Sequence, residues 1–153
     1  MTTQLSTASI ATVKATVPAL RAHGVAITTR MYERLFEDAS IRALFNQDHH
    51  GPGGAQPKAL AMAVVAYAEN IEDLTPLAGA VETIAARHVK SHVKPQHYAS
   101  VADALLWAIA DVLGAAATPE ILDAWGQAYW MLAELLQARE AELMAASELL
   151  AAE

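Results

Sequence analysis

Residues 75–98 read TPLAGAVETIAARHVKSHVKPQHY and place a histidine where an apolar side chain is expected. Thr75 and Pro76 predict the start of a helix, because threonine is a good N-cap and proline fits the first helical turn. Three apolar residues and one histidine then follow at the spacing of a single buried face: Leu77, Val81, Ile84 and His88. The pattern therefore directs His88 towards the interior.

A buried histidine needs chemical partners inside the protein. Its neutral imidazole has two ring nitrogens, and each must find a hydrogen-bond partner or a metal. Imidazole is also the commonest metal ligand in proteins. Two kinds of role stay open for His88 on this pattern alone, a core residue bonded to a backbone carbonyl and a metal ligand.

Length and composition limit the classes of protein to which the chain can belong. Its 153 residues suffice for one domain with a continuous core, and 54% of them are hydrophobic. The absence of cysteine excludes disulfides and thiolate metal sites, and the net charge of -7 argues against nucleic acid or an anionic membrane as the main partner. The N-terminus lacks a basic leader and no run reaches about 18 apolar residues, so we expect a cytoplasmic protein without a membrane span.

The first third of the chain predicts two long helices and a short one. Helical spacing favours a first helix, bent at Pro18 and ended by Gly24, with the apolar residues Ile10, Val13, Val17 and Leu20. A second helix is expected to direct inward Val25, Thr28, Tyr32, Leu35 and Phe36. An inward Tyr32 buries a hydroxyl that needs a partner, although a ring at the core edge with its oxygen in water fits the pattern equally well. Residues 41–45 predict one short turn of helix.

A polar loop separates these helices from the third long one. Residues 46–54 read NQDHHGPGG, and their Gly, Pro, Asn and Asp content predicts a loop with His49 and His50 in solvent. Pro57 then opens a helix whose buried face comprises Leu60, Val64, Tyr67 and Ile71. Gln56 stands between the loop and this helix, where most glutamines are solvated caps.

Two further helices complete the chain, and together the patterns predict a single all-α domain over residues 1–153 with six or seven helices. Pro95 begins a helix that Gly114 ends, with the inward residues Tyr98, Val101, Ala102, Leu105, Ile109 and Val112. Thr118 caps the last helix, whose apolar stripe is Leu122, Trp125, Tyr129, Leu132, Leu136 and Leu143. Glu140 lies at the edge of that stripe and is half buried by geometry. An ion pair with Arg139 or at the surface is its simplest role.

Three kinds of structure could use an inward His88. A zinc site could combine it with His92, four residues on along one helical face, and with His97, but no converging carboxylates are evident. A plain helical interaction module would keep His88 in its core. A haem needs one inward imidazole, an apolar slot between helices and a few distal polar groups, which Tyr32 and Gln56 could supply.

Several segments resemble bacterial globins, in the same order and at compatible spacing. They are Phe45 after the short helix, QPKALAMAVVAYAENIEDL from Gln56, ARHVKSHVKPQHY around His88 and ILDAWGQAYWMLAELL from Ile121. Within that superfamily the chain resembles the flavohaemoglobin globin domain and its single-domain relatives of the Vitreoscilla haemoglobin type. The resemblance implies a globin fold of six to seven helices around a haem pocket, with haem b, iron protoporphyrin IX, as the cofactor.

The resemblance also implies roles on the proximal side of the haem. His88 matches the ligand of the haem iron. Tyr98 and Glu140 match the two groups that form a hydrogen-bonded triad with that ligand, which explains why a carboxylate should approach an apolar stripe. Arg87 and Val93 are expected to contact the cofactor.

On the distal side, the resemblance implies a second set of residues. Tyr32, Gln56 and Leu60 match the distal tyrosine, glutamine and leucine of the family. Phe45 matches the ring that packs against the porphyrin face, and Pro57 is expected to contact the cofactor as well.

By the same resemblance, the expected function is reversible binding of dioxygen, carbon monoxide and nitric oxide at a five-coordinate iron. Nitric oxide dioxygenation is expected only with a separate NAD(P)H-dependent reductase, because these residues do not contain the reductase domains of flavohaemoglobins. An oxygen carrier or sensor without turnover and a peroxidase-like haem protein are the alternatives.

Two further features of the sequence, a longer loop before Gln56 and two tryptophans, lead to predictions of their own. The loop before Gln56 is slightly longer than in close relatives, so His49 or His50 could approach the distal opening. Trp107 and Trp130 are predicted on outward faces of the last two long helices, and exposed tryptophans suggest a contact surface. We therefore expect a homodimer, unless each ring only covers a neighbouring helix end.

Overall fold

The computed structural model describes residues 5–46 and 57–152, which fold into helices joined by short turns. This part of the chain contains seven α-helices: α1 Thr7–Ala15, α2 Val17–Leu35, α3 Ala39–Asn46, α4 Pro57–Glu69, α5 Ala78–Lys90, α6 Pro95–Leu113 and α7 Pro119–Ala152. A single 3₁₀ turn precedes α5 at Thr75–Leu77, and another follows α6 at Gly114–Ala116. No strand occurs within these two ranges, and the predicted all-α class is confirmed.

The first predicted helix is in fact divided between two helices. The helix is interrupted at Thr16, between the end of α1 and the start of α2. Pro18 lies in the first turn of α2. Gly24 does not end a helix, since it is buried in the middle of α2, where a Cβ would lie 3.2 Å from the Cβ of Ala61 on α4. The glycine therefore permits the close approach of two helices, which its position in the sequence did not reveal.

This role of Gly24 also explains why the predicted buried face of α2 is partly wrong. Val25 was expected to point inward but is 51% exposed, whereas Ile27 and Met31 are buried. Because Gly24 faces α4, the next residue is turned away from that contact by about 100°. Tyr32 is partly buried, between the two alternatives that the sequence left open.

The helices pack around one main core and one smaller cluster. The helix α2 packs against α4 and α6, while α7 packs against α1, α5 and α6. The main core contains the largest fully buried side chains: Trp125, Ile27, Ile109, Val13 and Thr28. The smaller cluster lies where α5, α6 and α7 meet and is built on Ala85, Tyr98, Ala133 and Leu136. It is this second cluster that positions His88.

The helix α5 begins slightly later than predicted. Thr75 and Pro76 form the 3₁₀ turn, and the carboxylate of Asp73 accepts hydrogen bonds from the backbone N–H of Thr75 at 3.0 Å and from its hydroxyl at 2.6 Å. Regular α-helix runs from Ala78 to Lys90, so His88 lies in the last turn. Its ring is partly buried, on the face that the spacing predicted.

The predicted limits of the last two long helices are confirmed. Pro95 is the first residue of α6, and Gly114 follows its end with a φ of 56°, a backbone conformation that favours glycine. The hydroxyl of Thr118 accepts a hydrogen bond from the backbone N–H of Ile121 at 3.2 Å and so caps α7.

The segment Pro95–Ala116 is long and apolar enough to cross a membrane by length and composition alone. It packs against α2 and α7, and it buries Ala104, Ala108 and Ile109 almost completely. A helix in the centre of a fold needs apolar residues for this packing, and such a helix passes the same test.

The two tryptophans predicted on outward faces are both partly buried. The guanidinium groups of Arg30 and Arg34 on α2 lie 4.8 and 5.0 Å from the ring centroid of Trp107 on α6. Trp130 meets the ring of Tyr129 edge to face, with centroids 5.3 Å apart. The expectation of two exposed tryptophans is therefore wrong, because neighbouring side chains cover both rings.

Candidate functional site

His88, Tyr98 and Glu140 meet although they lie on three different helices. The last turn of α5 supplies the histidine, the first turn of α6 the tyrosine and the second half of α7 the glutamate. Nδ1 of His88 lies 2.9 Å from the hydroxyl oxygen of Tyr98 and 3.0 Å from Oε2 of Glu140. The Tyr98 hydroxyl donates to the same Oε2 at 2.5 Å. We call this closed set of hydrogen bonds the triad.

The triad is buried on one side and accessible on the other. Glu140 is 6% exposed and Tyr98 is 5% exposed, whereas the His88 side chain is 30% exposed. Glu140 is thus deeper than the half-buried position expected from its angle on α7. A buried carboxylate must be hydrogen-bonded to be tolerated, and the imidazole and the phenol supply its two donors.

The positions of the protons in the triad follow from burial and charge. Burial, reinforced by the hydrogen bond to Glu140, raises the pKa of Tyr98 well above its usual range, so its phenol stays protonated. That proton is directed at Glu140. A carboxylate 3.0 Å from Nδ1 is stabilising only if Nδ1 also carries hydrogen. This tautomer leaves the lone pair of His88 on Nε2.

Nε2 of His88 has no hydrogen-bond partner within residues 5–46 and 57–152. A neutral imidazole whose second ring N–H donates to a carboxylate is a favourable metal ligand, because the hydrogen bond fixes the ring and raises its basicity. Apolar side chains pack against the smaller cluster that contains Tyr98, among them Ile84, Val93 and Leu132, and such a surface suits a porphyrin. The residues present therefore fit a haem.

Tyr129 supports the triad through the backbone of Tyr98, a role that sequence reasoning missed. Its hydroxyl donates to the backbone carbonyl of Tyr98 at 2.6 Å, and burial raises its pKa above the usual range of tyrosine. The sequence placed Tyr129 on the apolar stripe of α7. Its hydroxyl had to find a partner there, but only the packing of α6 on α7 shows which one.

Arg139 does not pair with Glu140, contrary to the simplest expectation from the sequence. Its guanidinium makes a bidentate pair with Glu82 on α5, at 2.7 and 2.8 Å, and a longer contact of 3.3 Å with Glu142. Consecutive residues on a helix point about 100° apart, so Arg139 reaches the surface of α5 while Glu140 turns inward. The Glu82 pair therefore joins α5 to α7 beside the triad.

Three residues implied for the distal side are described. The ring of Tyr32 lies 5.6 Å from that of Phe36 at an interplanar angle of 31°. Leu60 is partly buried against the main core, and Pro57 is a partly buried residue at the start of α4. One turn before Tyr32 on α2, the hydroxyl of Thr28 donates to the carbonyl of Pro57 at 2.8 Å, so this face of α2 meets the start of α4.

Other implied residues lie outside the described part of the chain. These are Gln56, His49 and His50, together with the predicted loop after Asn46. Phe45 belongs to α3, as the short predicted helix required, but its side chain is outside the described part.

Arg87 is exposed in the last turn of α5, next to the histidine. Val93 is partly buried in the smaller cluster, on the segment between α5 and α6.

The premise of the zinc hypothesis is wrong. His92 was placed on the helical face of His88, but α5 ends at Lys90 and His92 is exposed with a φ of 61°. Nδ1 of His97 accepts a hydrogen bond from the backbone N–H of Lys94 at 2.9 Å. No group of three or more His, Asp or Glu side chains suited to a metal ion occurs in the described ranges.

Curated relatives of the chain are flavohaemoproteins. The flavohemoprotein of Xylella fastidiosa strain 9a5c is 51% identical over 141 residues, which are 92% of this chain and 35% of that protein. The flavohemoprotein of Bordetella pertussis is 49% identical over 138 residues, or 90% of this chain and 34% of the relative. The chain thus spans about a third of the length of these relatives.

Solved structures show the same fold. An engineered carbene transferase from Rhodothermus marinus, which is provisionally named a nitric oxide dioxygenase, has a TM-score of 0.87 and 37% identity, covering 95% of this chain and 99% of its own. A bacterial globin from Campylobacter jejuni has a TM-score of 0.81 and 34% identity, covering 92% and 99%. The sequence profile of the globin family matches residues 29–135, from α2 into α7. The chain therefore belongs to the globin family.

Proposed function

We propose that this protein binds dioxygen, carbon monoxide and nitric oxide at the five-coordinate iron of haem b, with His88 as the protein ligand. The triad is the observation that carries the proposal. A buried carboxylate and a buried phenol hold Nδ1 of His88 and leave Nε2 for iron. Membership of the globin family supports a haem as the group that takes this nitrogen.

Haem supplies an iron that takes up diatomic gases, and the chain sets the properties of its ligand. Glu140 accepts the Nδ1 hydrogen of His88, which raises the basicity of the ring and fixes its orientation. Tyr98 donates to the same oxygen and prevents the carboxylate from turning away. Arg87 and Val93 flank the histidine in the sequence, and we assign them contacts with the cofactor.

We assign Tyr32 the role of hydrogen-bond donor to a gas held at the haem. Its hydroxyl would stabilise negative charge on that gas, and we assign Gln56 the role of a second, amide donor. We also assign Leu60, Pro57 and Phe45 apolar contacts that would keep water from competing for these donors.

Nitric oxide dioxygenation is the activity that we propose when electrons are supplied. The relatives in Xylella and Bordetella are named flavohemoproteins, and the Rhodothermus protein is provisionally named a nitric oxide dioxygenase. The matched region covers only about a third of the flavohemoproteins. We propose an NAD(P)H-dependent reductase as the partner that supplies the electrons. A cytoplasmic location and a homodimer stay predictions, and sedimentation at high concentration tests the second.

The absorption spectrum of the purified protein tests the haem proposal. We expect a Soret band that shifts when carbon monoxide is added to the reduced protein. We expect His88→Ala to lose most of the bound haem, because the iron loses its protein ligand. His92→Asn is the matched control, since it removes a nearby exposed imidazole and asparagine tolerates the positive φ. Haem retention and a five-coordinate reduced spectrum in His88→Ala would contradict the assignment.

Repeated turnover separates the enzyme from a carrier or sensor. The oxygenated protein is mixed with nitric oxide, an NAD(P)H-dependent reductase and excess NAD(P)H, and nitrate is measured. Nitrate in large molar excess over protein supports dioxygenation, whereas about one equivalent per haem indicates a gas carrier or sensor. Oxidation of a phenolic dye with hydrogen peroxide, at a rate well above that of free haem, would favour the peroxidase-like alternative instead.

A further inference from the structure

Thr28 makes a hydrogen bond that joins α2 to the first residue of α4. The side chain is 2% exposed, and its hydroxyl oxygen lies 2.8 Å from the backbone carbonyl oxygen of Pro57. Two carbonyls of its own helix are farther away, that of Gly24 at 3.1 Å and that of Val25 at 3.2 Å. The hydroxyl has one hydrogen to donate, and the shortest of the three contacts is the one between helices.

This hydrogen bond is the second of two fixed points between α2 and α4. The first is the close approach of Gly24 to Ala61, where a Cβ on the glycine would lie 3.2 Å from the alanine Cβ. One turn along α2 is Thr28, and one turn back along α4 is Pro57. Two points on each helix fix their separation and their relative tilt, so the start of α4 is not free to move along or away from α2.

Tyr32 lies one turn beyond Thr28 on the same face of α2, because residues four apart are neighbours on a helix surface. The hydrogen bond to Pro57 is therefore the anchor nearest to that tyrosine within the described contacts of α2 with α4. A shift of the first turn of α4 changes the distance between Tyr32 and the side chains of that turn, Leu60 included.

We propose that Thr28 is a positioning residue for gas binding, whose hydroxyl holds the first turn of α4 at a fixed distance from Tyr32. The proposal rests on the proposed function, since Tyr32 acts there as the donor to the bound gas. Thr28 itself does not touch the haem or the gas. It acts through backbone geometry, and removal of its hydroxyl should change how well the gas is held.

The test compares Thr28→Val, which keeps the shape but loses the hydroxyl, with Thr28→Ser, which keeps the hydroxyl. We expect Thr28→Val to raise the dioxygen dissociation rate between about threefold and tenfold, the range that loss of one hydrogen bond spans. We also expect it to shift the stretching frequency of bound carbon monoxide, which reports polarity beside the gas. Thr28→Ser should stay within about twofold of the wild type, because it restores the bond.

Thr16→Val is the matched control for lost stability. Thr16 is also a buried threonine, 4% exposed, whose hydroxyl donates to the carbonyl of Thr12 at 2.6 Å and accepts from Trp125 at 3.2 Å. We expect this variant to melt earlier while the dioxygen dissociation rate and the carbon monoxide frequency stay at wild-type values. If Thr28→Val does not fold, Thr28→Ala against Thr16→Ala makes the same comparison.

Three results would overturn the proposal. Wild-type gas kinetics and frequency in Thr28→Val would show that the hydroxyl does not position the site, and equal changes in Thr16→Val would show a general loss of stability. A Thr28→Ser variant that behaves like Thr28→Val would assign the effect to the methyl group. Failure of the proposed function is recognised separately, since the wild type would then show no Soret band and no carbon monoxide complex.

Discussion

Glu140 is a carboxylate buried among the apolar side chains where α5, α6 and α7 meet. An ionised carboxylate is tolerated at that depth only while its hydrogen bonds are made. Both donors, the phenol of Tyr98 and the imidazole of His88, contact the same oxygen, Oε2. The arrangement therefore has a chemical purpose beyond packing, which is to hold and polarise the imidazole.

We expect Glu140→Gln to weaken haem retention by about 10- to 100-fold, the usual effect of losing a hydrogen-bond partner of a metal-bound histidine. The amide is neutral and accepts the Nδ1 hydrogen more weakly, so His88 donates less electron density to the iron. The oxidised iron is then stabilised less, and the reduction potential rises. Haem transfer to an apo-globin acceptor and a redox titration measure the two effects.

Glu142→Gln is the control for Glu140→Gln, because Glu142 lies on the same helix with its side chain 67% exposed. It removes one negative charge near the site without touching the triad. An equal rise of the potential in this variant would mean that net charge, and not the hydrogen bond to His88, sets the potential.

Two buried tyrosines and a partly buried one predict a loss of stability in alkali. Burial is the main cause that raises the pKa of Tyr67, Tyr98 and Tyr129 above the ordinary value, which is about 10. Above pH of about 10 the unfolded chain loses these protons while the folded chain keeps them. The unfolded state then binds fewer protons, so the free energy of unfolding falls as the pH rises.

Tyr67→Phe should make this alkaline loss shallower above pH of about 10, by a slope that approaches about 1.4 kcal/mol per pH unit, the contribution of one proton. Tyr67 is a suitable site because its hydroxyl donates to the carbonyl of Ala128 in the main core, away from the triad. Urea unfolding between pH 9 and 11 measures the slope for both proteins. Parallel curves would show that Tyr67 ionises equally in the folded and unfolded chains.

At the residue scale, the sequence predicted the face on which a side chain lies better than it predicted the hydrogen-bond partners of that side chain. The spacing from Leu77 to His88 gave the face of the histidine correctly, because periodicity is a local property of a helix. Glu140 was associated with that histidine only through resemblance to globins, since the wheel of α7 also allowed a surface pair. The contacts of Tyr129 depend on how α6 packs on α7, and no pattern within one helix encodes that.

At the scale of the element, helix ends were predictable where capping chemistry is strong. The start of α7 after Thr118 and the end of α6 at Gly114 follow from a side-chain cap and from a positive φ. The break between α1 and α2 was predicted at the wrong residue. Gly24 is of a residue type that often ends a helix, but here it lies where α2 crosses α4. Glycine has both uses, and only the neighbouring helix distinguishes them.

The cap at the start of α6 predicts that the stability of the protein falls in acid. The backbone N–H of Lys94 donates to Nδ1 of His97 at 2.9 Å, so the neutral imidazole caps the helix that carries Tyr98. Burial, and secondly the charge of Lys94, lower the pKa of His97 against an opposing effect of Asp38. The stability that the cap contributes is therefore complete above the ordinary pKa of histidine, about 6.5, and is lost as the pH falls.

His97→Gln should remove this dependence, because the glutamine oxygen accepts the same hydrogen bond at every pH. We expect similar urea midpoints for the variant and the wild type at pH 8, and a higher midpoint for the variant at pH 5.5. His23→Gln controls for the loss of an exposed histidine on α2. Equal urea midpoints for the two proteins at pH 5.5 as well as at pH 8 would show that His97 does not cap α6 in its neutral form.

At the scale of the whole molecule, packing is unevenly spread along α7. The family profile ends at Leu135, yet the buried glutamate of the triad lies a turn further on at Glu140. Leu143 is the last residue of α7 that packs against the smaller cluster. Residues 144–151 are all exposed, Leu149 and Leu150 by 70% and 72%. We therefore expect the triad to need α7 beyond the matched region, but not to its end.

Two truncations test this division of α7. Ending the chain after Leu143 should leave haem retention unchanged and the thermal midpoint within about 2 °C, because residues 144–151, the described part of the removed segment, are all exposed. Ending it after Ala138 removes Glu140 and Arg139, so the triad and the pair with Glu82 are lost, and haem should dissociate much faster. A midpoint that falls by more than about 5 °C in the longer variant would show that the last turns of α7 are packed in solution. Concentration-dependent sedimentation of the full chain, lost on that truncation, would then identify a second copy as the partner.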